Sequence, residues 1–383
     1  MKTWRYKDYD WLLIGAVALL TLFGIVMVYS ASFPLGMRAY DDAAFFLKRQ
    51  IMFFIIGIGV FAFMMHVPYE KWKKTTPLLI GLSIFLLMLV LVVGNEVNGA
   101  KSWIGFGPVN IQPAEFVKLS LIIYLAQVYS QKQKYIDSFT KGVMPPLVVV
   151  AVLLGFIVMQ PDVGTAAALM MTTIVIVFLS GAKFRHMFML GGVAAALFAY
   201  IALTEPYRLA RLVSFMDPFA NEEAVGGGSF QLIQGYIAIA HGGLFGVGLG
   251  ESVQKMNYLP EAHTDFIIPI IAEELGIFGV LLVVGLLGVI AWRGIKIGLS
   301  AKGQFGTLLA FGIVFQLLSQ AVINAGAVAG MMPITGLPFP LLSYGGSSLL
   351  ITLAMLGLLA NISRNNNRLA RVQDQGINKP TSA

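Results

Sequence analysis

Hydrophobic residues in this chain neither alternate nor recur at wide intervals. They come in long unbroken runs, each near the ~20 residues that a helix needs to cross a bilayer. Ten such runs stand out, at 11–30, 46–65, 78–93, 111–129, 142–159, 164–179, 187–203, 266–292, 307–327 and 342–361. The pattern predicts an all-α integral membrane protein with about ten transmembrane helices and a large extracytoplasmic loop, 203–265, between helices seven and eight. Residues 1–363 read as one polytopic domain. The remainder, 364–383, is rich in Asn, Arg and Gln and reads as a disordered cytoplasmic tail. No small-residue cleavage site follows the first run, so it is expected to persist as a helix. Inside the loop, Phe230, Ile233, Ile237 and Ala240 recur at helical spacing, which predicts an amphipathic helix on the outer surface.

Composition agrees with a membrane setting, with 57% hydrophobic residues, 12% charged residues and a mean hydropathy of +0.80 over 383 residues. The absence of cysteine excludes disulfides, Cys-ligated zinc and thiol catalysis. The four histidines show no metal-ligand spacing. A net charge of +7 raises the question of nucleic acid, but its distribution answers otherwise. Eighteen of the 26 basic residues and only five of the 19 acidic ones fall on the termini and alternate loops, leaving +13 on that side and −6 on the other. By the positive-inside rule both termini are cytoplasmic, the loop 203–265 is outside, and no nucleic-acid partner is expected.

Ionisable groups within the apolar pattern gather in the predicted outer half, where each needs a reason stronger than solubility. The stretch YLPEAHTDF, 258–266, places Glu261, His263 and Asp265 at the lip of helix eight. Asp265 could be a helix cap or a chemical group, and capping does not account for its two neighbours. Glu273 and Glu274 follow in the same run and are expected to be structural, held by the polar stripe of Gln316, Gln320 and Asn324 on helix nine. Glu115 and Lys118, three apart beside Pro113, form either an ion pair or the lining of a cavity. Asp162 lies in QPDVGT, 160–165, where it could cap the next helix or face that cavity. Arg208 and Arg211 suit phosphate, although a salt bridge to Glu205 or Asp217 is the simpler account. Breaks at 113 and 160–163 put irregular backbone at membrane depth, which implies a cavity opening outward. The glycine-rich run 242–250 lacks the strand and lysine of a nucleotide loop, and Ser343 has no nearby base.

Five separate motifs, in order along nearly the whole chain, resemble the SEDS family of FtsW, RodA and SpoVE. They are NGAKSWI at 98–104, IQPAE at 111–115, QPDVGT at 160–165, YLPEAHTDF at 258–266 and GLPFPLLSYGGSS at 336–348. The segments 46–50 and 254–263 resemble the division branch, FtsW, more than the elongation branch, RodA. Ile267, Ile268 and Pro269 depart slightly from the usual continuation of the fourth motif.

The resemblance implies an integral-membrane peptidoglycan glycosyltransferase of the plasma membrane that polymerises lipid II by inverting hexosyl transfer at a division septum. A class B penicillin-binding protein and other divisome membrane proteins are its implied partners. Asp265 falls on the family's essential aspartate, and Glu115, Lys118 and Asp162 fall on its cavity residues. The substrate and pyrophosphate would meet Lys118, Arg208, Arg211, Glu115, Asp162, Glu261, His263 and Trp103. A divalent cation, magnesium or manganese, could join through Asp265 or Glu115, with no organic cofactor. An elongation polymerase and a lipid II flippase are the alternatives, and a non-catalytic scaffold is a third.

Overall fold

Eleven α-helices make up most of the computed structural model, which describes residues 8–97, 100–106, 109–204, 218–219 and 228–377. They are α1 (Trp11–Tyr40), α2 (Phe45–His66), α3 (Trp72–Val93), α4 (Pro113–Gln131), α5 (Met144–Met159), α6 (Val163–Leu179), α7 (Phe184–Thr204), α8 (Gly228–Gly242), α9 (Ile267–Leu299), α10 (Gln304–Val328) and α11 (Gly346–Ile377). Seven described helices are long and apolar enough to span a membrane, and two more, at Val163–Leu179 and Phe184–Leu197, are shorter but apolar. The chain is a multi-pass membrane protein. α4 occupies the place of the predicted fourth span, and its Glu115 and Lys118 set it apart from its apolar neighbours.

Burial separates the centre from the rim. Protein covers 89% of the apolar stretch of α11 and 72% of that of α10, against 22% for α2. The small residues at 321–330 serve this internal packing. Ala321 and Ala327 are buried, Gly326 meets Met332, and a side chain at Gly330 would strike Tyr236 of α8.

Two predicted boundaries move, for identifiable reasons. α1 continues through Pro34 to Tyr40, because Ser30, Ala31, Ser32 and Gly36 are buried against neighbouring segments that take over the stabilisation. α11 does not end near residue 361 but runs to Ile377, so 364–377 is helix and not a disordered tail. Polar contacts hold it there. Arg371 pairs with Asp8 at 2.7 Å, Asn367 donates to the Asp8 carbonyl at 3.2 Å, and Asn366 donates to that of Ile297 at 3.2 Å. Nearby, Asp10 accepts the Leu13 amide at the start of α1 and is gripped by Arg293 at 2.7 and 3.1 Å. One end of the bundle is thereby tied across α1, α9 and α11.

The all-α expectation also needs an amendment. A three-stranded antiparallel sheet, β1 (Asn95–Val97), β2 (Ala100–Phe106) and β3 (Val109–Ile111), connects α3 to α4. Its strands pair Val97 with Ala100 and Ile104 with Ile111. β1 and β3, of three residues each, carry too little alternation for sequence to separate them from loop. α8 forms where an amphipathic helix was predicted, but its buried positions are Ser229, Leu232, Gly235, Ala238 and Gly242, while Phe230, Ile237 and Ala240 face outward.

Candidate functional site

Asp265 precedes a helix that is really two. Gly276, at φ +65° and ψ −160°, breaks α9 into a nearly fully buried first half, 267–275, and an outward-facing second half. The N-cap position belongs to Phe266 and carries no side-chain cap, so Asp265 is not the N-cap of this helix. Its side chain is mostly buried, at 9% residue exposure. The Thr264 hydroxyl lies 3.2 Å from Asp265 Oδ1 and 2.7 Å from Glu261 Oε2, so one oxygen joins the two carboxylates. The Asp265 backbone is pinned from below. Asn324 spends both protons of its amide nitrogen on the carbonyls of Asp265 and Leu337, each at 2.7 Å.

One helical turn along α10, Gln320 repeats the arrangement. Its oxygen accepts from Lys118 Nζ at 3.0 Å and its nitrogen donates to the Pro338 carbonyl at 2.8 Å. Lys118 is fully buried and sits 2.7 Å from Glu115, so the ion-pair reading of these two residues is the observed one. A further turn on, Gln316 accepts from Thr172 of α6 at 2.8 Å. The polar stripe of α10 thus stitches α4, α6, the segment 337–338 and Asp265 together.

The remaining candidates divide. Asp162 caps α6, accepting the Thr165 amide at 3.0 Å, and its second oxygen accepts from Gln112 at 3.0 Å, just before α4. It therefore caps and also faces the mouth of the α4 region. His263 is buried between Phe46 and Tyr344, with ring centroids 4.5 and 5.5 Å away. Burial pushes its pKa below the ordinary histidine value, outweighing the opposite pull of Glu261, so the imidazole is neutral at pH 7. Trp103 is half-buried on β2, opposite Asn95. Arg208 and Arg211, with Glu205 and Asp217, lie outside the described residues.

Glu273 and Glu274 are structural, but their partners are not those of the α10 stripe. Glu273 accepts from the Ser252 hydroxyl, from the Val253 amide at 3.1 Å and from the Gln254 amide at 3.4 Å, and lies 3.0 Å from His241 Nδ1. Glu274 accepts from Ser30 at 2.7 Å and pairs with buried Lys255 at 2.7 Å. The glycine-rich run wraps this end of the half-helix. The amides of Val247 and Gly248 take the carbonyls of Glu273 and Glu274, which Gly276 would otherwise leave without helical partners. Gly246, at φ +77°, passes so close that a Cβ would lie 2.2 Å from the Glu274 carbonyl oxygen. At Gly276 a Cβ would lie 2.3 Å from that of Leu244. Gly276→Ala should therefore cost more than the ~1–2 kcal/mol of a left-handed residue alone, read as a lower melting temperature in detergent. An unchanged melting temperature would show that the wrap is loose.

A family model described as cell cycle protein, covering FtsW, RodA and SpoVE, matches residues 10–368. The chain belongs to this family. Its FtsW-like relatives include the stage V sporulation protein E of Bacillus subtilis, 44% identical over 93% of this chain and 97% of the relative. The probable peptidoglycan glycosyltransferase FtsW of the same organism is also 44% identical, over 93% and 91%. Among solved structures, the rod shape determining protein RodA of Thermus thermophilus superposes with a TM-score of 0.69 at 30% identity, over 94% of this chain and 97% of that one. A chain from a study of the structural coordination of polymerization and crosslinking by a peptidoglycan synthase complex gives 0.77 at 31% identity, over 94% and 98%. The FtsW, RodA and SpoVE fold thus carries the described site, including residues that sequence reasoning passed over. Asn324 was assigned to the wrong carboxylates. Lys255, which lies in the segment 254–263, is the buried partner of Glu274.

Proposed function

We propose that this chain is a peptidoglycan glycosyltransferase that polymerises lipid II at the outer face of the plasma membrane. The observation that carries the reading is Asp265, a carboxylate outside the cap position whose backbone is fixed by Asn324 at the mouth of a buried polar stripe. Curated relatives named for this activity match the chain almost end to end.

In this reading the Asp265 carboxylate removes the proton from the attacking sugar hydroxyl of one lipid-linked disaccharide. The hydroxyl oxygen bonds to the anomeric carbon of the second, and the bond from that carbon to the phosphate oxygen breaks. The lipid pyrophosphate leaves with the electron pair, so no carboxylic acid is needed to protonate it. Displacement in one step inverts the anomeric centre. Neutral His263 packs beside the segment bearing the Asp265 carboxylate, and buried Lys118 is engaged by Glu115 and Gln320. Asp265 and Glu261, joined by Thr264, are a hard-oxygen pair suited to magnesium or manganese, whereas Glu115 is committed to Lys118. A cation held there would shield pyrophosphate charge.

The charge partition supports cytoplasmic termini and an outer site, and placement of the titratable groups on one side argues against alternating access by a flippase. The FtsW and SpoVE relatives favour septal synthesis alongside a class B penicillin-binding protein and other divisome proteins over elongation. Single cysteines introduced at position 225 should react with an impermeant reagent in intact cells, while those at 72, 184 and 365 should not. Labelling at 184 would invert the topology. The activity itself is tested by incubating purified protein with lipid II, with and without its partner transpeptidase. Glycan strands on a gel support the reading, and their absence in both reactions defeats it.

A further inference from the structure

Lys118 was expected to meet the departing pyrophosphate, yet it is sealed against Glu115 and Gln320. The described cations of the predicted outer half are few, and most are committed. Lys48 pairs with Asp42 at 2.7 Å, and Lys255 pairs with Glu274 at 2.7 Å. Lys101 donates to the carbonyls of Leu91 and Val92 at 2.9 and 3.1 Å. Arg38 is exposed near the end of α1 and makes no described contact with the site. That leaves Arg49 of α2.

Arg49 is half-buried, and among the described residues it has no carboxylate within salt-bridge distance. Its guanidinium lies 4.2 Å from the centre of the Phe45 ring. Phe45 is itself stacked on Tyr40 at 3.6 Å, so the guanidinium rests on a braced surface. Three aromatic contacts join this part of α2 to the segment bearing Asp265. Phe46 packs on His263 at 4.5 Å and on Tyr344 at 5.2 Å, and Tyr344 packs on His263 at 5.5 Å. The backbone closes the link, since the Tyr344 amide donates to the His263 carbonyl at 2.8 Å and Gln50 donates to that of Ser343 at 3.4 Å. A partly exposed guanidinium with no carboxylate partner among the described residues, held over an aromatic ring and three residues along α2 from Phe46, which packs on His263, has the chemistry of an anion receptor. Its planar fork matches two phosphate oxygens at once.

We propose that Arg49 is a binding residue for the diphosphate of the lipid-linked substrate, taking the role for which Lys118 is unavailable. The assignment rests on the proposed function for the identity of its ligand. It concerns binding, so it can be tested without turnover.

The test uses the full chain in nanodiscs of neutral lipid, carrying Asp265→Asn to prevent reaction, and measures the affinity of fluorescent lipid II. Undecaprenyl pyrophosphate and phosphatidylglycerol serve as competitors. Adding Arg49→Gln is expected to weaken lipid II and undecaprenyl pyrophosphate by about 10-fold or more, the scale of one charge-assisted hydrogen bond. Arg49→Lys should recover part of the loss. If Arg49→Gln does not fold, Arg49→Met, which keeps the apolar stem over Phe45, is read in the same way. In the otherwise native enzyme the same change should raise KM for lipid II more than it lowers kcat. Lipid II affinity within twofold of the parent in the folded variant would overturn the assignment. So would a loss confined to phosphatidylglycerol, which would make Arg49 a contact for bilayer headgroups. Arg49-dependent binding of lipid II by a wild-type chain that makes no glycan would overturn the proposed function and leave this assignment standing.

Discussion

Purified Asp265→Asn protein should lose lipid II polymerisation by ~10²-fold or more, the usual cost of removing a positioned general base, while its melting temperature and partner binding stay those of the parent. Asparagine has nearly the same shape and can still accept the Thr264 hydroxyl, which lies 3.2 Å from Oδ1. It cannot take up a proton. The bond from Asn324 goes to its backbone carbonyl, which the substitution leaves untouched. A structural role would therefore show as lost stability with proportionate activity, and a chemical role as lost activity alone. Near-parental polymerisation by the variant would remove Asp265 from the chemistry.

The second large effect belongs to the buried pair of Glu115 and Lys118. Lys118→Met should destabilise the protein by ~3–5 kcal/mol, because it strands a carboxylate that is almost wholly buried. Combining it with Glu115→Leu removes both charges, and stability should largely return, since an apolar pair often replaces a buried ion pair at no net cost. Polymerisation should not return. Lys118 also donates to Gln320, whose nitrogen holds the Pro338 carbonyl, next to the Leu337 carbonyl that Asn324 shares with Asp265. Melting curves and glycan synthesis measured on the same preparations separate the two effects. A Lys118→Met protein that melts like the parent would mean that water reaches Glu115 and that the pair is not sealed.

Long apolar runs announce their helices because the bilayer imposes one length and one secondary structure. That is why α2, α5, α6 and α10 lie close to where the pattern puts them. The sheet between α3 and α4 was invisible for the opposite reason, being three short strands whose pairing is local and whose alternation spans only a few residues. The ends of α1 and α11 were misjudged because both are secured by tertiary contacts, such as that of Arg371 with Asp8, which no window of sequence contains. At the site, the residue types were readable, since charge in an apolar run is costly wherever it occurs. Pairings were not. Glu273 and Glu274 share one apolar run with Asp265, but Gly276 breaks that helix and a glycine-rich loop wraps it, so position along the run does not reveal their partners. The stripe of Gln316, Gln320 and Asn324 was found by its four-residue spacing, which identifies a face without naming what that face meets.

The proposed polymerisation of lipid II takes place on one side of the membrane. Its most direct test is to reconstitute the purified protein with its partner transpeptidase into sealed vesicles, confirm orientation with a cysteine label at position 225, and supply lipid II only in the outer leaflet. Vesicles with the 203–265 loop outward should build glycan strands on that face, β-linked and abolished by Asp265→Asn. Movement of lipid II to the inner leaflet without glycan synthesis, unaffected by Asp265→Asn, would contradict the claim.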